Sequence, residues 1–367
     1  MPLRSLLSAC LLMCGLAAEA QDTPVGPFEH MVLPITDGLW LLQRPDPLRQ
    51  PVEGNITVIA GNDGLLVVDT GGAPMAGRDA VMKIQGLSGQ PVRWVVNTHW
   101  HGDHHLGNPA FRLAWPQAQF IAHANTQRDM TGQAMNYLDG QDVAIQGSID
   151  QLGGLLESGL DAQGAALMPA TRERYTRLQS DLRVMLRALD EVTLAGVDQV
   201  FTDSMTLDLG GRSVQLIHPG RGNTEGDVVV HVPDLRLLVS GDLVVAPTPY
   251  GFGSYPGDWL TALATLKALD WDMLIPGHGD PMRDRDYLNQ LTDLIADFRA
   301  QATIAVAQGQ NLEAFRASLD TAEWQTRFAA EDPLLQRLFQ AWWVTPFSDS
   351  AWREASGLPI VQGEDGN

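Results

Sequence analysis

Cysteine is nearly absent from this sequence. Only Cys10 and Cys14 occur among 367 residues, and both lie close to the N-terminus. If that end is removed during export, the remaining chain has no thiol group. It then forms no disulfide bonds, and no thiolate is available to bind a metal. Any metal site in the mature chain must therefore be built without cysteine.

Long hydrophobic runs are also missing, and the longest apolar stretch lies at the N-terminus. Arg4 supplies a positive start, residues 5–17 form an apolar core, and residues 18–20 read Ala-Glu-Ala, a small-x-small cleavage site. This core is too short to span a membrane. We therefore predict a signal peptide over 1–20 and a periplasmic or secreted protein. A lipoprotein signal at Cys10 is a weaker alternative, because it leaves too short an apolar core.

Positive charge is scarce as well. The 24 Lys and Arg residues face 44 Asp and Glu residues, which gives a net charge of −20 at pH 7, and no basic block occurs. A chain without a basic patch is a poor partner for nucleic acid or for an anionic membrane surface. We therefore expect a small-molecule substrate, no nucleic-acid partner and no membrane span, while the oligomeric state stays open.

What the sequence does contain is enough apolar material for a large packed core. Hydrophobic residues make up 44% of the chain, and neither repeats nor Gly/Ser linkers divide it. After the signal peptide we predict a catalytic domain over 21–283, a C-terminal helical extension over 284–355 and a disordered tail over 356–367.

Short β-branched runs alternate with turn residues on either side of a leucine-rich region. That region, about residues 126–200, has leucines at helical spacing among charged residues and is predicted to be a helical insertion. The predicted strands are 39–43, 55–60, 65–69, 92–98, 120–122, 205–209, 213–218, 228–232, 235–239 and 273–275. The predicted helices are 78–87, 258–269 and 284–307.

The segment from His99 to His104, read as His-Trp-His-Gly-Asp-His, is the most informative in the chain. Three imidazoles and a carboxylate within six residues are too close for one helix face, but they suit a loop whose side chains converge on metal ions. Imidazole with carboxylate favours zinc, with iron or manganese as alternatives. The segment follows the predicted strand over 92–98, and the loops at strand ends are where sheet proteins usually place their chemistry.

This segment resembles the H-x-H-x-D-H signature of the metallo-β-lactamase superfamily. Further landmarks follow in the family's order: the strand ending at Asp69, residues 222–227 (Gly-Asn-Thr-Glu-Gly-Asp), residues 240–243 (Ser-Gly-Asp-Leu) and residues 276–279 (Pro-Gly-His-Gly). The resemblance implies metal-dependent hydrolysis on an α/β fold, a four-layer αββα sandwich. We expect that sandwich to carry the helical insertion and the C-terminal helical extension.

The resemblance also implies a ligand set. Asp242 stands where other members carry cysteine, which is the pattern of the glyoxalase II-like branch, where an aspartate bridges two metals. The remaining implied ligands are His99, His101 and Asn223 for the first metal and Asp103, His104 and His278 for the second. Asp69 is expected to brace the metal loop from behind. Asp103 is the expected catalytic residue, orienting a zinc-bound hydroxide.

Asn223 departs from the family pattern, which has histidine in this place. Because an amide oxygen is a weaker zinc ligand than imidazole, we expect two zinc sites of which the first is the weaker. His218, at a predicted strand end, is an alternative ligand that the sequence leaves open. The loop over 247–259 is rich in glycine and aromatic residues, so we expect Tyr250 and Phe252 to contact substrate.

These patterns predict an exported metal-dependent hydrolase acting on an ester, thioester, lactone or amide bond, β-lactams included. Two alternatives stay open. One is an iron-dependent oxidoreductase on the same fold, since histidine and aspartate without cysteine also suit iron. The other is a non-catalytic metal-binding protein. Asn223 in place of histidine is the single feature that suggests it.

Overall fold

The structure is a computed structural model, and it describes residues 26–161 and 164–362. The predicted signal peptide over 1–20 and the last residues of the predicted tail, 363–367, lie outside the described residues. Within the described ranges, no helix combines the length and the apolar character needed to cross a bilayer.

Two mixed β-sheets form the centre of the described chain. The first sheet has its strands in chain order: β1 (Met31–Thr36), β2 (Leu39–Gln43), β3 (Ile56–Ala60), β4 (Leu65–Val68), β5 (Val92–Val96), β6 (Gln119–His123) and β7 (Gln199–Phe201). The second contains, also in neighbouring order, β8 (Ser204–Asp208), β9 (Ser213–Ile217), β10 (Val229–Val232), β11 (Leu237–Val239) and β12 (Met273–Ile275). Pairing is parallel from β4 to β7 and between β11 and β12, and antiparallel elsewhere.

Helices cover the outer faces of both sheets and fill the long connections. Those before the second sheet are α1 (Pro74–Leu87), α2 (Gly102–His105), α3 (Asn108–Ala114), α4 (Ala124–Asp129), α5 (Gln141–Ser158) and α6 (Pro169–Leu189). The helices that follow β11 in the chain are α7 (Pro256–Ala268), α8 (Asp286–Ala307), α9 (Leu312–Ser318), α10 (Ala322–Ala329), α11 (Pro333–Phe339) and α12 (Thr345–Ala355). Shorter 3-10 turns lie at Gln133–Leu138, Pro233–Leu235 and Gly241–Leu243, and one π-helical turn lies at Gln340–Val344.

The layers follow from the alternation of side chains along the strands. In β4, Leu66 and Val68 point toward the second sheet, whereas Leu65 and Val67 pack on the other face against α1 and α3. A strand covered on both faces needs an uninterrupted apolar sequence, and β4 has one. The four-layer αββα sandwich predicted from the sequence is confirmed.

The C-terminal helices pack on the outer face of the second sheet. Their shared core with α7 contains fully buried aromatic side chains, and the rings of Trp343 and Phe347 stack 4.0 Å apart. Each such buried side chain stabilises the fold by about 1.5–3 kcal/mol. The predicted helical extension is therefore part of the same packed unit as the sheet beneath it.

The region between β6 and β7 is helical, with α5 and α6 packed on each other. Two strands were not predicted. They are β1, whose side chains are mostly exposed, and β7, a three-residue strand at the opposite edge of the sheet. Edge strands make ladder bonds on one side only and need no fully apolar sequence, so their residues carry a weak pattern.

Candidate metal centre

The predicted ligands meet because the strands that precede them end at one edge of the sandwich. Asp69 follows β4 directly, and the loop from His99 to His104 follows β5, its parallel neighbour. In the second sheet, Asp242 follows β11 and His278 follows β12, which are also parallel neighbours. Parallel strands present their carboxyl ends on the same side, which is where open α/β sheets place their sites.

The ligand atoms fall into two adjoining clusters. The first contains His99, His101 and Asp242, and the second contains Asp103, His104 and His278, with the donor atoms of each cluster within 4.8 Å of one another. Asp242 joins the two: its Oδ2 lies 3.6 Å from Nε2 of His99, and its Oδ1 lies 3.2 Å from Nε2 of His104 and 3.5 Å from Nε2 of His278.

Several of these atoms have no hydrogen-bond partner although they are buried. They are Nε2 of His99 and both carboxylate oxygens of Asp242. A buried carboxylate without a normal hydrogen bond is costly unless a cation faces it. The donor set of four imidazoles and two carboxylates is one that zinc accepts, so these residues fit the metal that the family resemblance implies.

Hydrogen bonds behind the loop leave the Nε2 atoms of His99 and His104 facing the centre. The hydroxyl of Thr98 donates to Oδ2 of Asp69 at 2.8 Å, so it can only accept from Nδ1 of His99, 3.0 Å away. The Nδ1 atom of His104 lies 2.8 Å from the same Asp69 oxygen. Each imidazole that donates through Nδ1 keeps Nε2 free for a metal.

Asp69 therefore lies where the bracing role predicted for it requires. Its Oδ1 also accepts the backbone N–H of Thr98 at 2.8 Å. Its φ of 64° is in the left-handed region, which is uncommon for a residue other than glycine and is typical of functional sites held by their surroundings.

Charges within the two clusters shift the ionisation of the histidines in opposite directions. Burial would lower the pKa of His278, but Asp242 and Asp103 outweigh it and raise that pKa to about 9. The pKa of His104 is raised in the same way, by Asp242, Asp103 and Asp69 against burial. Burial and the neighbouring His104 lower the pKa of His99. Without metal, these shifts favour the protonated form in the second cluster and the neutral form of His99.

Asn223 is fully buried beside the aromatic loop. Its side-chain N–H donates to the carbonyl of Tyr250 at 3.1 Å, and its Oδ1 has no hydrogen-bond partner. The alternative ligand His218 lies elsewhere. Its ring stacks on that of His123 at 4.0 Å, its Nδ1 contacts the carbonyl of Asp227 at 2.8 Å, and it is in neither ligand cluster.

Gly277 leaves the space that the carboxylate of Asp242 occupies. A Cβ atom on Gly277 would lie 1.9 Å from Oδ1 of Asp242, so any larger residue must displace that side chain. On the other side of the same loop, Nδ2 of Asn55 donates to the carbonyls of Pro276 and Gly279, each at 2.9 Å. The loop that carries His278 is thus held from both sides.

A cavity of about 320 Å³ opens above the two clusters. Tyr250 and Phe252, the expected substrate contacts, both line it. Three other aromatic residues line it that the sequence did not assign to substrate contact: Trp100, Tyr137 and Trp342. Trp100 lies inside the histidine motif and could have been suggested by that position, whereas Tyr137 and Trp342 come from distant segments with no local signal.

Comparison with known proteins agrees with this geometry. The sequence profile of the metallo-β-lactamase superfamily matches residues 49–278, more than half of the chain. A linear primary-alkylsulfatase from Pseudomonas sp. (strain ATCC 19151) is 24% identical over 300 residues, which cover 77% of this chain and 49% of that protein. A type 2 metallo-β-lactamase from Bacillus cereus is 30% identical over 95 residues, which cover 24% of this chain and 37% of that protein.

Among solved structures, the stereoselective inverting sec-alkylsulfatase from Pseudomonas sp. shares the fold. Its TM-score is 0.59 at 15% identity, over 92% of this chain and 51% of that one. The chain therefore spans about half the length of the alkylsulfatases it matches. Its C-terminal helices fall within this structural match, although they lie outside the region that the family profile covers.

Proposed function

The chain belongs to the metallo-β-lactamase superfamily, and on that basis we propose that it is a hydrolase that uses two zinc ions. Its proposed substrate is a neutral, largely apolar molecule cleaved at an ester, thioester, lactone or amide bond. The observation that supports this most is the pair of buried ligand clusters joined by Asp242 beneath an aromatic cavity.

Different residues would have different roles in such a reaction. Bound zinc would lower the pKa of water toward neutrality and polarise a carbonyl group. Asp103, whose side chain is 17% exposed, lines the cavity, so its carboxylate can accept a hydrogen bond from a water molecule and orient it. Burial keeps the pKa of Tyr250 well above its ordinary value, so its hydroxyl stays protonated and can donate to the substrate's carbonyl oxygen.

The walls of the cavity favour a neutral substrate over an anionic one. Among the described residues that line it, His101 is the only basic side chain, and it belongs to the metal clusters. Sulfate recognition usually relies on arginine or lysine, which supply charge-assisted hydrogen bonds. The relative's name indicates an alkyl sulfate as its substrate. In this cavity, the metals would be the main positive charges available to bind a sulfate group.

The test is a panel of substrates with zinc-loaded protein: 4-nitrophenyl hexanoate, hexanoyl-homoserine lactone, S-lactoylglutathione, nitrocefin and hexyl sulfate. We expect hydrolysis of a neutral ester or lactone that a chelator abolishes and zinc restores. Asp242→Asn, which keeps the shape but removes the bridging charge, should lose that activity. Fastest turnover of hexyl sulfate would overturn the neutral-substrate proposal. If none of the five substrates is hydrolysed, the result would favour a metal-binding protein without catalytic activity.

Iron is the rival metal, because this donor set contains no thiolate and suits iron nearly as well as zinc. Metal analysis of protein purified without added metal separates the two. Zinc at a molar excess over iron is the expected result, and an absorbing ferric form would favour the oxidoreductase alternative.

A further inference from the structure

A second cavity of about 210 Å³ adjoins the first on the far side of Asp103. Six residues line both cavities: Gln50, Val52, Gly102, Asp103, Tyr137 and Gln141. We call Gly102 and Asp103, which belong to the histidine motif, the partition. The remaining walls of the second cavity are largely apolar and include Phe28, Leu138, Met185, Leu189 and Val192. We call it the side cavity.

One buried acid interrupts these apolar walls. The side chain of Glu53 is 1% exposed, and its Oε2 accepts the backbone N–H of Gly72 at 2.9 Å. Its Oε1 has no hydrogen-bond partner. The nearest basic group, Nε2 of His30, lies 3.9 Å from Oε2, and that ring is already held by Asp79 through Nδ1 at 3.0 Å.

The acid can act as a donor in its protonated form. Burial favours that form and raises the pKa of Glu53 to about 8, against the opposing effects of the Gly72 N–H and the charge of Arg44. A neutral carboxyl that accepts through one oxygen has a hydroxyl left to donate. Gly72 also leaves the space this acid needs, since a Cβ there would lie 2.7 Å from Oε1 of Glu53 and 3.1 Å from Cα of Asp103.

The size of the side cavity indicates what it can hold. An apolar cavity of about 150 Å³ is enough to bind benzene. A six-membered ring or a chain of similar length therefore fits in the side cavity with room for one polar atom. Unpartnered polar atoms in buried positions are rare in native proteins and call for a partner that the protein itself does not supply.

We propose that the side cavity is a second substrate subsite, which binds an apolar ring or chain carrying one hydrogen-bond acceptor that contacts Glu53. This inference rests on the proposed function only in calling the occupant part of the substrate. A substrate that spans both cavities would pass the Gly102–Asp103 partition, which places its central bond next to the metal ligands.

The first experiment measures binding without turnover, so it does not depend on the proposed activity. Cyclohexanone, an apolar ring with one acceptor, is titrated into zinc-loaded protein labelled with ¹³C at the methionine methyl groups. The Met185 methyl signal should shift with saturation. Val192→Phe, which fills the side cavity, should weaken binding at least about tenfold. Val143→Phe, the same change at a residue 71% exposed on α5, should leave binding unchanged.

A pair of substitutions at Glu53 tests the polar contact. Glu53→Leu should weaken cyclohexanone binding by about five- to tenfold because the donor is lost. Glu53→Gln, which can still donate through its amide, should keep most of it. No Met185 shift up to the solubility limit of cyclohexanone, or equal binding by Glu53→Leu and wild type, would overturn the subsite.

The second experiment links the subsite to turnover. If 4-nitrophenyl esters are substrates, Val192→Phe should lower kcat/KM for the hexanoate at least about tenfold and leave the acetate nearly unchanged. Equal losses for both esters would contradict the subsite. Wild type could show a saturable Met185 shift but no ester hydrolysis. That result would contradict the proposed activity and would still support the side cavity as a binding site.

Discussion

At the scale of single residues, the site depends on the orientation of each donor atom more than on the residue types alone. Asp69 and Thr98 fix the tautomers of His99 and His104, and the lack of a side chain at Gly277 leaves the space that the Asp242 carboxylate occupies. Supporting contacts of this kind are known to change metal affinity by about 10–100-fold when they are removed. The ligands and their supports form one unit.

Tyr250 offers a test of substrate activation. Tyr250→Phe removes the hydroxyl and keeps the ring that packs 5.1 Å from His278. We expect kcat to fall by about 10–100-fold with little change in zinc binding, because the lost hydrogen bond acts in the transition state. Steady-state kinetics on the best substrate of the panel, with zinc content measured in parallel, check this. A change in KM alone would assign Tyr250 to ground-state binding.

The opposite pKa shifts in the two clusters predict opposite proton balances. The raised pKa values of His278, about 9, and His104 mean that zinc must displace protons from the second cluster at neutral pH. Affinity there should fall as pH falls, by about tenfold per pH unit for each proton displaced. His99 has a lowered pKa and is already neutral, so the first cluster should depend on pH much less.

Calorimetric zinc titrations at pH 6 and pH 8, in buffers of different ionisation enthalpy, count the protons released at each binding step. One step that releases protons and one that releases few are expected. Equal proton release in both steps would contradict these ionisation states.

At the scale of secondary-structure elements, the strands buried on both faces were predictable, and the two edge strands of the first sheet were not. Strands such as β4 and β12 are buried on both faces, and their apolar runs end where the ligands begin. The strand patterns together with the family resemblance therefore located the ligand loops. The walls of the cavity were not predictable in the same way, because Tyr137 comes from the insertion and Trp342 from the C-terminal helices.

The segment after α12 shows the same limit. Residues from 356 fell in the predicted disordered tail, yet the side chain of Gln362 accepts from Nε1 of Trp100 at 2.9 Å and donates to the carbonyl of Gly253 at 3.0 Å. Trp100 and Gly253 both line the cavity above the metal ligands. A polar, glycine-rich sequence gives no sign of such a contact, since its partners are a backbone carbonyl 109 residues away and a side chain 262 residues away.

This contact predicts the effect of removing it. Gln362→Ala should lower the free energy of unfolding by about 1 kcal/mol, since it removes two partly exposed hydrogen bonds. It should also raise KM because Trp100 and Gly253 lose their common support. Urea unfolding and steady-state kinetics measure both, with Gln308→Ala at the end of α8 as a surface control. Identical behaviour of the two variants would show that the tail does not hold the cavity.

At the scale of the whole molecule, export is a prediction from the sequence alone. The first twenty residues lie outside the described structure, and their apolar core and Ala-Glu-Ala site predict cleavage before Gln21. Intact mass and N-terminal sequencing of the protein recovered from a periplasmic fraction should give a chain that starts at Gln21. A full-length chain in the cytosolic fraction would contradict export.

The central claim is a two-metal centre whose halves are unequal. The second cluster has two histidines, Asp103 and a share of Asp242, whereas the first has two histidines and the shared Asp242. The further ligand predicted for the first cluster is the amide of Asn223, where other family members carry histidine. An amide oxygen is a weaker ligand than imidazole. The zinc ion that binds more tightly should therefore occupy the second cluster, which contains Asp103, and the ion in the first cluster should bind more weakly.

Zinc titration by calorimetry at pH 8 of wild type, Asn223→His and His278→Ala tests this most directly. The account predicts two unequal steps in wild type, of which Asn223→His tightens only the weaker and His278→Ala weakens only the tighter. Two equally tight ions in wild type, with no effect of Asn223→His, would contradict it.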